Sequence, residues 1–496
     1  MVNGVLMPDA QTLTLISPEI VLAVFGMLIL VIDLIGRERT RGLLPWVTVL
    51  GFVLAFAATM YIWGPNPASL FAGMYSVDLF SLFFKIIALI AGTVIVLVSV
   101  DYLRERSTRQ GEFFALFTFA VLAMTMMASS ASLLMIYLSI EFLSYTSYLL
   151  TGFLREDRKS NEAAIKYFLY GAITSAVMLY GLSLLYGVSG SLNLSDIATT
   201  FSNTVDPTVH ALALVSTALV LAGLGFKISL VPFHQWAPDA YEGAPTPVTA
   251  FLSVGPKAVG FAILIRFALT ALPIFKESWI PLLTVISIIT MTLGNLVALR
   301  QTNVKRLLAY SSIAQAGYML IGLVGVNLTG NSPFEGLNGV LIYLFAYLFT
   351  NLGAFACVIA IENATGAVNI EDYAGLVRRA PFVAALFIIF FLSLAGIPPT
   401  AGFIGKFFVF GAALREGFLT LAAIGVINSI ISVFYYFSVI RAAFFLEAKD
   451  ATPIRVAPLV TAMLTVSAAV VLLIAVYPQP LLNLAAWSMG MFGVVP

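Results

Sequence analysis

Six basic side chains of this sequence lie inside long apolar stretches, where a charge is rare. They are Lys85, Lys166, Lys227, Lys257, Arg266 and Lys406. A basic residue at the middle of a membrane helix costs about 2.5–3.5 kcal/mol on an insertion scale. Each one therefore needs a structural or functional explanation. Desolvation disfavours the charged form of an amine, whereas a nearby carboxylate favours it. Moving a carboxylate can therefore make a lysine hold or release a proton. The chemistry that these residues indicate is proton movement.

Glu141 is the carboxylate best placed for such a role. It lies in the middle of MIYLSIEFLSYTSYLL, and Tyr137, Ser144 and Tyr148 share its helix face at offsets of four, three and seven. A carboxylate that only hydrogen-bonds neighbouring helices is the alternative. An ionisable residue inside a membrane is more often functional.

Lys227 and Lys257 have no acidic residue within a turn or two on their own helices. Their partners must therefore come from elsewhere in the fold, and a static buried ion pair is the alternative to a proton carrier. His234 follows Lys227 by seven residues, across Pro232, and its ring titrates near neutral pH. We therefore include His234 as a candidate relay.

The remaining basic residues have plainer explanations. Lys166 follows Glu162 by four residues, the spacing of a helix ion pair, and lies near the end of its stretch, where it could reach water. Lys85 could pair with Asp78 or extend outward. Arg266 does not release its proton, so we expect an anchor or an ion-pair partner.

The elements that must position these residues are membrane helices. The chain has 496 residues, of which 60% are hydrophobic and only 10% charged, which indicates an all-α, multi-pass membrane protein. A net charge of +1 gives no reason to expect nucleic acid. The single Cys357 excludes an internal disulfide and argues against an iron–sulfur cluster, which normally takes four cysteines. His234 has no cysteine and no second histidine nearby, which argues against a metal site.

About fourteen apolar stretches have the length that crosses a bilayer. They cover residues 16–35, 43–63, 77–100, 112–128, 131–154, 162–187, 209–235 (broken), 246–271 (broken), 278–299, 305–327, 337–361, 381–416 (broken), 419–445 and 456–480.

Basic residues concentrate in alternate connections between these stretches, which is expected for the cytoplasmic side. This set comprises Arg37, Arg39, Arg41, Arg104, Arg106, Arg109, Arg155, Arg158, Lys159, Arg300, Lys305, Arg306, Arg378, Arg379, Arg441, Lys449 and Arg455. The opposite set holds only Lys276 and Arg415. An even number of spans with both termini outside is therefore favoured.

Two stretches are interrupted by proline beside a lysine. Lys227 precedes Pro232, and Lys406 follows Pro398 and Pro399 in LSLAGIPPTAGFIGKFFVF. Irregular backbone survives at membrane depth only inside protein or beside a wet cavity. Two broken helices in corresponding halves indicate an inverted repeat around a shared polar path. Polar stripes on later helices supply a lining: Ser311, Gln315 and Tyr318; Tyr343, Tyr347 and Thr350; Asn428, Ser432 and Tyr435.

Three runs resemble the antiporter-like membrane subunits of respiratory complex I, the N-type in particular. They are FHQWAPDAYEGAPTPVTAFLSVGPKAVGFA, RLLAYSSIAQAGYML and GIPPTAGFIGKFFVF. The resemblance implies fourteen helices in two inverted five-helix repeats, with helices seven and twelve broken. It implies one membrane domain over residues 1–496: three N-terminal helices (16–100), a first repeat (112–271), a second repeat (278–445) and a last helix (456–480).

The resemblance also assigns proton-carrying roles. It implies a path through Glu141, Lys227, Lys257 and Lys406, and Lys166 matches a further lysine of the N-type. It places no cofactor in this chain and expects NAD, FMN, iron–sulfur clusters and quinone in partner subunits. The partners implied are the adjacent antiporter-like subunit, the small membrane subunits and the peripheral subunits, in a bacterial inner membrane with both termini outside.

Our hypothesis from the sequence is that Lys227 holds a proton while Glu141 is near. When the pair separates, the proton passes by His234 and Lys257 to Lys406 and is released outward. The alternatives are a subunit of a Mrp-type cation/proton antiporter, a subunit of a related hydrogenase or photosynthetic NDH complex, and a structural scaffold.

Overall fold

The computed structural model describes residues 9–64, 66–327, 334–448 and 452–492, and most of these residues are helical. The helices are α1 Ala10–Leu15, α2 Ser17–Gly36, α3 Leu44–Tyr61, α4 Leu79–Arg106, α5 Gln110–Ala128, α6 Leu133–Thr151, α7 Arg158–Ser189, α8 Leu194–Asn203, α9 Pro207–Ile228, α10 Trp236–Gly243, α11 Thr246–Arg266, α12 Lys276–Ala298, α13 Val304–Val324, α14 Gly336–Thr365, α15 Leu376–Arg379, α16 Pro381–Ala395, α17 Ala401–Arg415, α18 Leu419–Phe445, α19 Pro458–Val476 and α20 Gln479–Ser488. The strands β1 Ala68–Leu70 and β2 Tyr75–Val77 form one antiparallel hairpin.

Thirteen helices of the described chain are long and apolar enough to cross a membrane. The half-helices α16 and α17 together make one further crossing, because each has only 15 residues. The prediction of an all-α membrane protein with about fourteen crossings is therefore confirmed. The repeat and domain boundaries within the chain remain predictions.

The crossings alternate in direction, so the connections fall into two sets at opposite ends of the bundle. We call the end that carries Arg104, Arg155 and Arg300 the basic end. The hairpin β1–β2 lies at the other end, which we call the opposite end. The first helix and the last described residue also lie there, since Leu15 and Ile16 pack against the cluster of Tyr75 and Val77, and the Phe492 ring lies 5.2 Å from that of Phe80 at the start of α4. Lys449, one of the basic-end residues of the sequence, lies outside the described residues.

The first predicted break is present between α9 and α10. α9 ends at Ile228, Ser229 adopts a left-handed conformation with φ of 62°, and residues 229–235 form turns that contain Pro232. Proline supplies no backbone N–H and excludes a regular helix here. The break therefore leaves Lys227 in the last turn of a half-helix.

The second predicted break separates α16 from α17. α16 ends at Ala395, where Gly396 has φ of 82° and two prolines follow. A left-handed residue after the last turn is a common helix stop and favours glycine. Lys406 then lies in the second turn of α17, facing back towards this break.

One predicted break is wrong. The stretch 246–271 was expected to be interrupted, but Pro256 lies inside the continuous helix α11. A proline within a helix removes one hydrogen bond and bends the axis, and a membrane protein tolerates this where other helices surround the site. Every residue of α11 is buried, so protein surrounds this proline.

The core of the bundle consists of α11, α13 and α14, which are buried along almost their whole length. Helices such as α2, α7 and α19 expose apolar residues on their outer faces, among them Val24, Ile173 and Leu473. Lipid accepts such faces without cost, whereas the central helices carry the polar groups away from lipid.

Candidate proton-transfer site

Lys227 is a buried amine without an acidic partner. Its side chain lies at the end of α9 with 2% of its surface exposed, and Nζ donates to Ser144 Oγ at 3.0 Å. The C-terminal end of a helix carries partial negative charge, which favours a cation there. Among the described residues no carboxylate lies within 4.0 Å of Nζ. The alternative of a static ion pair therefore does not describe Lys227 in this structure.

Glu141 lies one helical turn from the serine that holds Lys227. It is half-buried in the middle of α6, and its Oε1 accepts a short hydrogen bond from Ser175 Oγ on α7. Ser144, three residues later, lies on the same helix face. The Glu141 carboxylate therefore lies near the serine of α6 that binds the Lys227 amine. The two groups are bonded to different hydroxyls, Ser175 and Ser144. A modest movement of α6 or of the Glu141 side chain would change the charge that Lys227 senses.

Lys257 of α11 binds a serine of α13. Its side chain is 1% exposed near the middle of α11, and Nζ donates to the carbonyl of Ser312 at 2.6 Å and to its Oγ at 2.5 Å. Lys227 passes close by, because a Cβ added to Gly260 would lie 3.6 Å from Lys227 Cγ. Gly260 is one turn from Lys257, so the two lysines approach the same part of α11.

Lys406 binds the carbonyl groups at the C-terminal end of the half-helix α16. Its Nζ donates to the carbonyls of Leu394 at 3.2 Å and Ala395 at 2.9 Å, and to Ser429 Oγ at 2.9 Å. It also lies 4.7 Å from the centre of the Tyr318 ring. These carbonyls have no helical partners because α16 stops at the break, and their partial negative charge favours an ammonium. The break therefore supplies the hydrogen-bond acceptors that the buried Lys406 ammonium needs, and the lysine satisfies the carbonyls that the break leaves unpaired.

A file of hydrogen-bonded groups runs from Ser311, beside the binding partner of Lys257, to Lys406. Ser311, next to the serine that holds Lys257, bonds Tyr436 OH at 2.5 Å. Gln315 donates to Tyr436 OH at 3.3 Å and to the carbonyl of Leu394 at 2.9 Å, and that carbonyl also accepts from Lys406. Tyr343 OH donates to Gln315 Oε1 in a short bond. Hydroxyl groups can donate and accept at once, so they are suited to passing a proton along.

Sequence reasoning found Ser311 and Gln315 but missed Ser312, Ser429 and Tyr436. Serines occur throughout membrane helices, and nothing in the local sequence distinguishes the one that meets a lysine. Tyr436 follows Tyr435, which was predicted to line the path, and both tyrosines are buried. Tyr435 bonds Asn295 at 3.0 Å instead.

The structure does not bring His234 into hydrogen-bonding contact with the lysines. It lies in the first break, 9% exposed, and its Nδ1 is buried without a hydrogen-bond partner among the described residues. Such an atom normally binds water. His234 therefore remains a candidate relay that would act through water.

Lys166 lies apart from the buried lysines, in a charged cluster at the basic end. Its Nζ binds Glu162 at 2.7 Å, which confirms the predicted helix ion pair, and Asp239 on α10 at 2.8 Å. Arg306 binds the same Asp239 at 2.6 Å. Burial alone would raise the pKa of Asp239, but these two cations hold it below its ordinary value. The cluster thus fastens the short helix that follows the first break.

We expect Lys166→Met to have a small effect on stability. The side chain is 41% exposed, and exposed ion pairs contribute about 0–1 kcal/mol because water screens them. The midpoint of thermal inactivation of the assembled complex measures this, with Lys159→Met as the control from the same cluster. A loss of assembly would contradict the peripheral position of Lys166.

Comparisons with known proteins identify the family of this chain. A family profile described as "NADH:quinone oxidoreductase/Mrp antiporter, TM" matches residues 130–432, which contain all six candidate residues. A protein of Trichlorobacter lovleyi named "NADH-quinone oxidoreductase subunit N" is 42% identical, over 95% of this chain and 96% of that protein. The chain belongs to the N-type membrane subunits of NADH-quinone oxidoreductase.

Two further relatives show the breadth of this family. A chloroplast protein of Mesostigma viride named "NAD(P)H-quinone oxidoreductase subunit 2" is 40% identical over 90% of this chain and 91% of that protein. A chain from the structure of respiratory complex I of Thermus thermophilus is 34% identical, with a TM-score of 0.79, over 94% of this chain and 98% of that chain. The N-type fold therefore extends over almost the full length of this protein.

Proposed function

We propose that this chain is a proton-translocating membrane subunit of an NADH-quinone oxidoreductase. It moves protons while other subunits transfer electrons from NADH to quinone. The observation that carries this proposal is the burial of Lys227, Lys257 and Lys406, none of which has a carboxylate within 4.0 Å among the described residues. A bundle that served only as a scaffold would have no reason to bury three amines without carboxylate partners, because each costs about 2.5–3.5 kcal/mol at mid-membrane.

The geometry supports a transfer in three steps. A change of charge near Glu141 makes Lys227 release its proton, because Ser144, a neutral hydroxyl, is the one hydrogen-bond partner of that amine among the described residues. The proton reaches Lys257, with His234 as a relay through water. It then passes along the hydroxyls of Ser311 and Tyr436 and through water to Lys406, and from there outward, while the amide of Gln315 donates to Tyr436 OH and orients that hydroxyl. Moving one charge against 100 mV costs about 2.3 kcal/mol, which the redox reaction must supply.

Glu141 is placed to receive the driving signal from a neighbouring subunit. It is only half-buried, and it bonds Ser175 of α7, a helix with most of its surface exposed. An ionisable group at mid-membrane is not left facing lipid. We therefore assign the α6–α7 face to the adjacent antiporter-like subunit. The small membrane subunits and peripheral subunits complete the complex, and lipid covers the remaining apolar faces.

Lys166 contributes to the same function by position. It holds Asp239 of α10 from the neighbouring helix α7, and so fixes the helix that follows the first break, in which His234 lies. Its expected effect on proton translocation is smaller than that of the buried lysines.

We place the redox groups in other subunits. NAD, FMN, iron–sulfur clusters and quinone belong to the partners in this proposal, because GLGFKI at Gly223 lacks the third glycine and the strand of a dinucleotide fingerprint. The basic end faces the cytoplasm of a bacterium and the opposite end faces the periplasm, as the positive-inside rule predicts. Both termini then lie on the periplasmic side of the inner membrane.

A Mrp-type sodium–proton antiporter is the main alternative. Sodium requires several oxygen ligands, whereas the ionisable groups at mid-membrane here are mostly lysines with one carboxylate, Glu141, and an ammonium group has no lone pair to coordinate Na⁺. Proton translocation by reconstituted complex should therefore be the same in sodium-free and sodium-containing buffer. A requirement for sodium would favour the antiporter.

Lys406→Met tests the proposed function in the assembled complex. Methionine keeps most of the side-chain volume but holds no proton, so we expect the contribution of this subunit to proton translocation to be lost. The rate of acidification of vesicles during NADH oxidation is the measurement. The control is Lys276→Met, which replaces a half-buried amine at the opposite end that donates to the carbonyl of Val326 at 2.8 Å. Unchanged translocation in Lys406→Met would overturn the proposal.

A further inference from the structure

Polar side chains follow one face of α11 from the basic end to Lys257. Thr246, Thr249, Ser253 and Lys257 lie at offsets of three, seven and eleven residues and therefore share that face. The distance along the helix from Thr246 to Lys257 is about 16 Å at 1.5 Å per residue. None of the first three residues has a part in the transfer described above.

α14 runs antiparallel to α11 and presents matching groups. Thr246 donates a short hydrogen bond to Glu362 Oε2, and Asn351 Nδ2 donates to Ser253 Oγ at 2.6 Å. Asn351 and Glu362 are eleven residues apart, about three turns, so they also share one face. The two helices thus enclose a polar seam that leads from the basic end to the neighbourhood of Lys257.

Glu362 is placed where a carboxylate does not stabilise its own helix. It lies in the last turn of α14, which ends at Thr365, and negative charge is unfavourable at that end of a helix. It is half-buried, and among the described residues no cation lies within 4.0 Å of it. Its other hydrogen bond comes from Tyr102 OH at 3.3 Å. Both of its donors are hydroxyls, which can also accept a proton.

The part of the seam nearest Lys257 contains buried polar atoms without a hydrogen-bond partner. Asn351 Oδ1, Tyr241 OH and Tyr347 OH have none among the described residues. Both tyrosines lie close to Ser312, the residue that binds Lys257. Buried polar atoms of this kind are usually satisfied by ordered water, which would complete a chain of hydrogen bonds to Lys257.

We propose that Glu362 is the proton-loading carboxylate of an uptake path from the basic end to Lys257. Glu362 takes a proton from water and becomes a neutral acid. The proton passes through the hydroxyls of Thr246, Thr249 and Ser253 and the water between them, and the amine of Lys257 accepts it as an ammonium. The Glu362 carboxylate is then free to load again. This inference rests on the proposed function and supplies the proton that Lys257 and Lys227, which approach the same part of α11, share before it moves on to Lys406.

Substitution of Glu362 separates proton loading from a purely structural role. Thr246 and Tyr102 donate to different oxygens of Glu362, so Glu362→Gln keeps an acceptor for one of them, but it cannot take up and release a proton as the acid does. Glu362→Asp keeps the acid. We expect Glu362→Gln to lower the rate of vesicle acidification per assembled complex as much as Lys257→Met does, and Glu362→Asp to retain most of the rate. Thr246→Val, which removes the first hydroxyl, should fall between them. Glu371→Gln, an exposed carboxylate at the same end, is the matched control and should behave as the unmodified complex.

Each outcome decides one claim. If Glu362→Gln and Glu362→Asp both pump normally while Lys257→Met does not, the uptake path lies elsewhere and the proposed function stands. If Glu362→Asp is as inactive as Glu362→Gln although the complex assembles, the carboxylate acts by its position and proton loading is overturned. If Lys257→Met pumps normally, the proposed function fails together with the path.

Discussion

Lys227→Met is expected to abolish the proton translocation of this subunit without harming its fold. The amine is buried with one hydroxyl partner, so its positive charge contributes little to packing and is costly to bury. Methionine fills nearly the same volume and removes the charge. The measurement is vesicle acidification during NADH oxidation by complex that contains the variant, with the amount of assembled complex determined separately.

Ser144→Ala is the control for Lys227→Met, because it removes the hydroxyl partner but leaves the amine. We expect it to keep translocation, at a lower rate, since Lys227 can still carry a proton. If Lys227→Met pumped as well as the unmodified complex, Lys227 would not be a carrier.

Arg266→Met is expected to cause the largest loss of stability. Arg266 and Asp78 form a fully buried pair at the opposite end, with Nη1–Oδ2 at 2.9 Å and Nη2–Oδ1 at 3.1 Å. Removing one partner of a buried pair leaves an uncompensated charge and typically costs about 3–5 kcal/mol. We expect a large fall in the midpoint of thermal inactivation of the complex, or a fall in its amount in the membrane.

The double variant Arg266→Met with Asp78→Asn is the control. It leaves no unpaired charge, and asparagine retains the N-cap that Asp78 provides to α4. Most of the lost stability should return. A double variant as unstable as Arg266→Met alone would contradict the explanation by charge.

This pair should also be robust near neutral pH. Burial would raise the pKa of Asp78, but Arg266 and further hydrogen bonds hold it below its ordinary value of 3.8. A lowered folded-state pKa means that the stabilisation is present above the ordinary value and is lost as pH falls through the folded-state value. The contribution of Asp78 is therefore lost only in acid.

The sequence predicted the features that depend on local chemistry. The breaks beside Lys227 and Lys406 follow from proline, which cannot donate a backbone hydrogen bond, and from glycine, which readily adopts the left-handed conformation that ends a helix. Arg266 is an ion-pair partner, as expected. Pro256 shows the limit of the same reasoning, because a single proline within a helix packed on all sides bends the axis without ending the helix. Whether a proline ends a helix or only bends it depends on the helices packed around it. The local sequence does not show which helices those are.

Partners from distant parts of the chain could not be predicted. Asp78 and Arg266 are 188 residues apart, and Lys85 pairs with Glu19 of α2 at 3.0 Å rather than with Asp78 of its own segment. Glu362 escaped notice because it lies one residue beyond the apolar stretch 337–361. The signal that could have found it is an acidic residue at the C-terminal end of a helix, where the dipole disfavours it.

The most direct test of proton carriage by these buried groups is the number of protons pumped per NADH oxidised by complex in which Glu141→Gln, Lys227→Met and Lys406→Met are combined. We predict that the complex assembles in normal amount and that the whole contribution of this subunit to proton translocation disappears. A lower amount of complex with an unchanged number of protons per NADH would show that the chain is a scaffold and would contradict the mechanism.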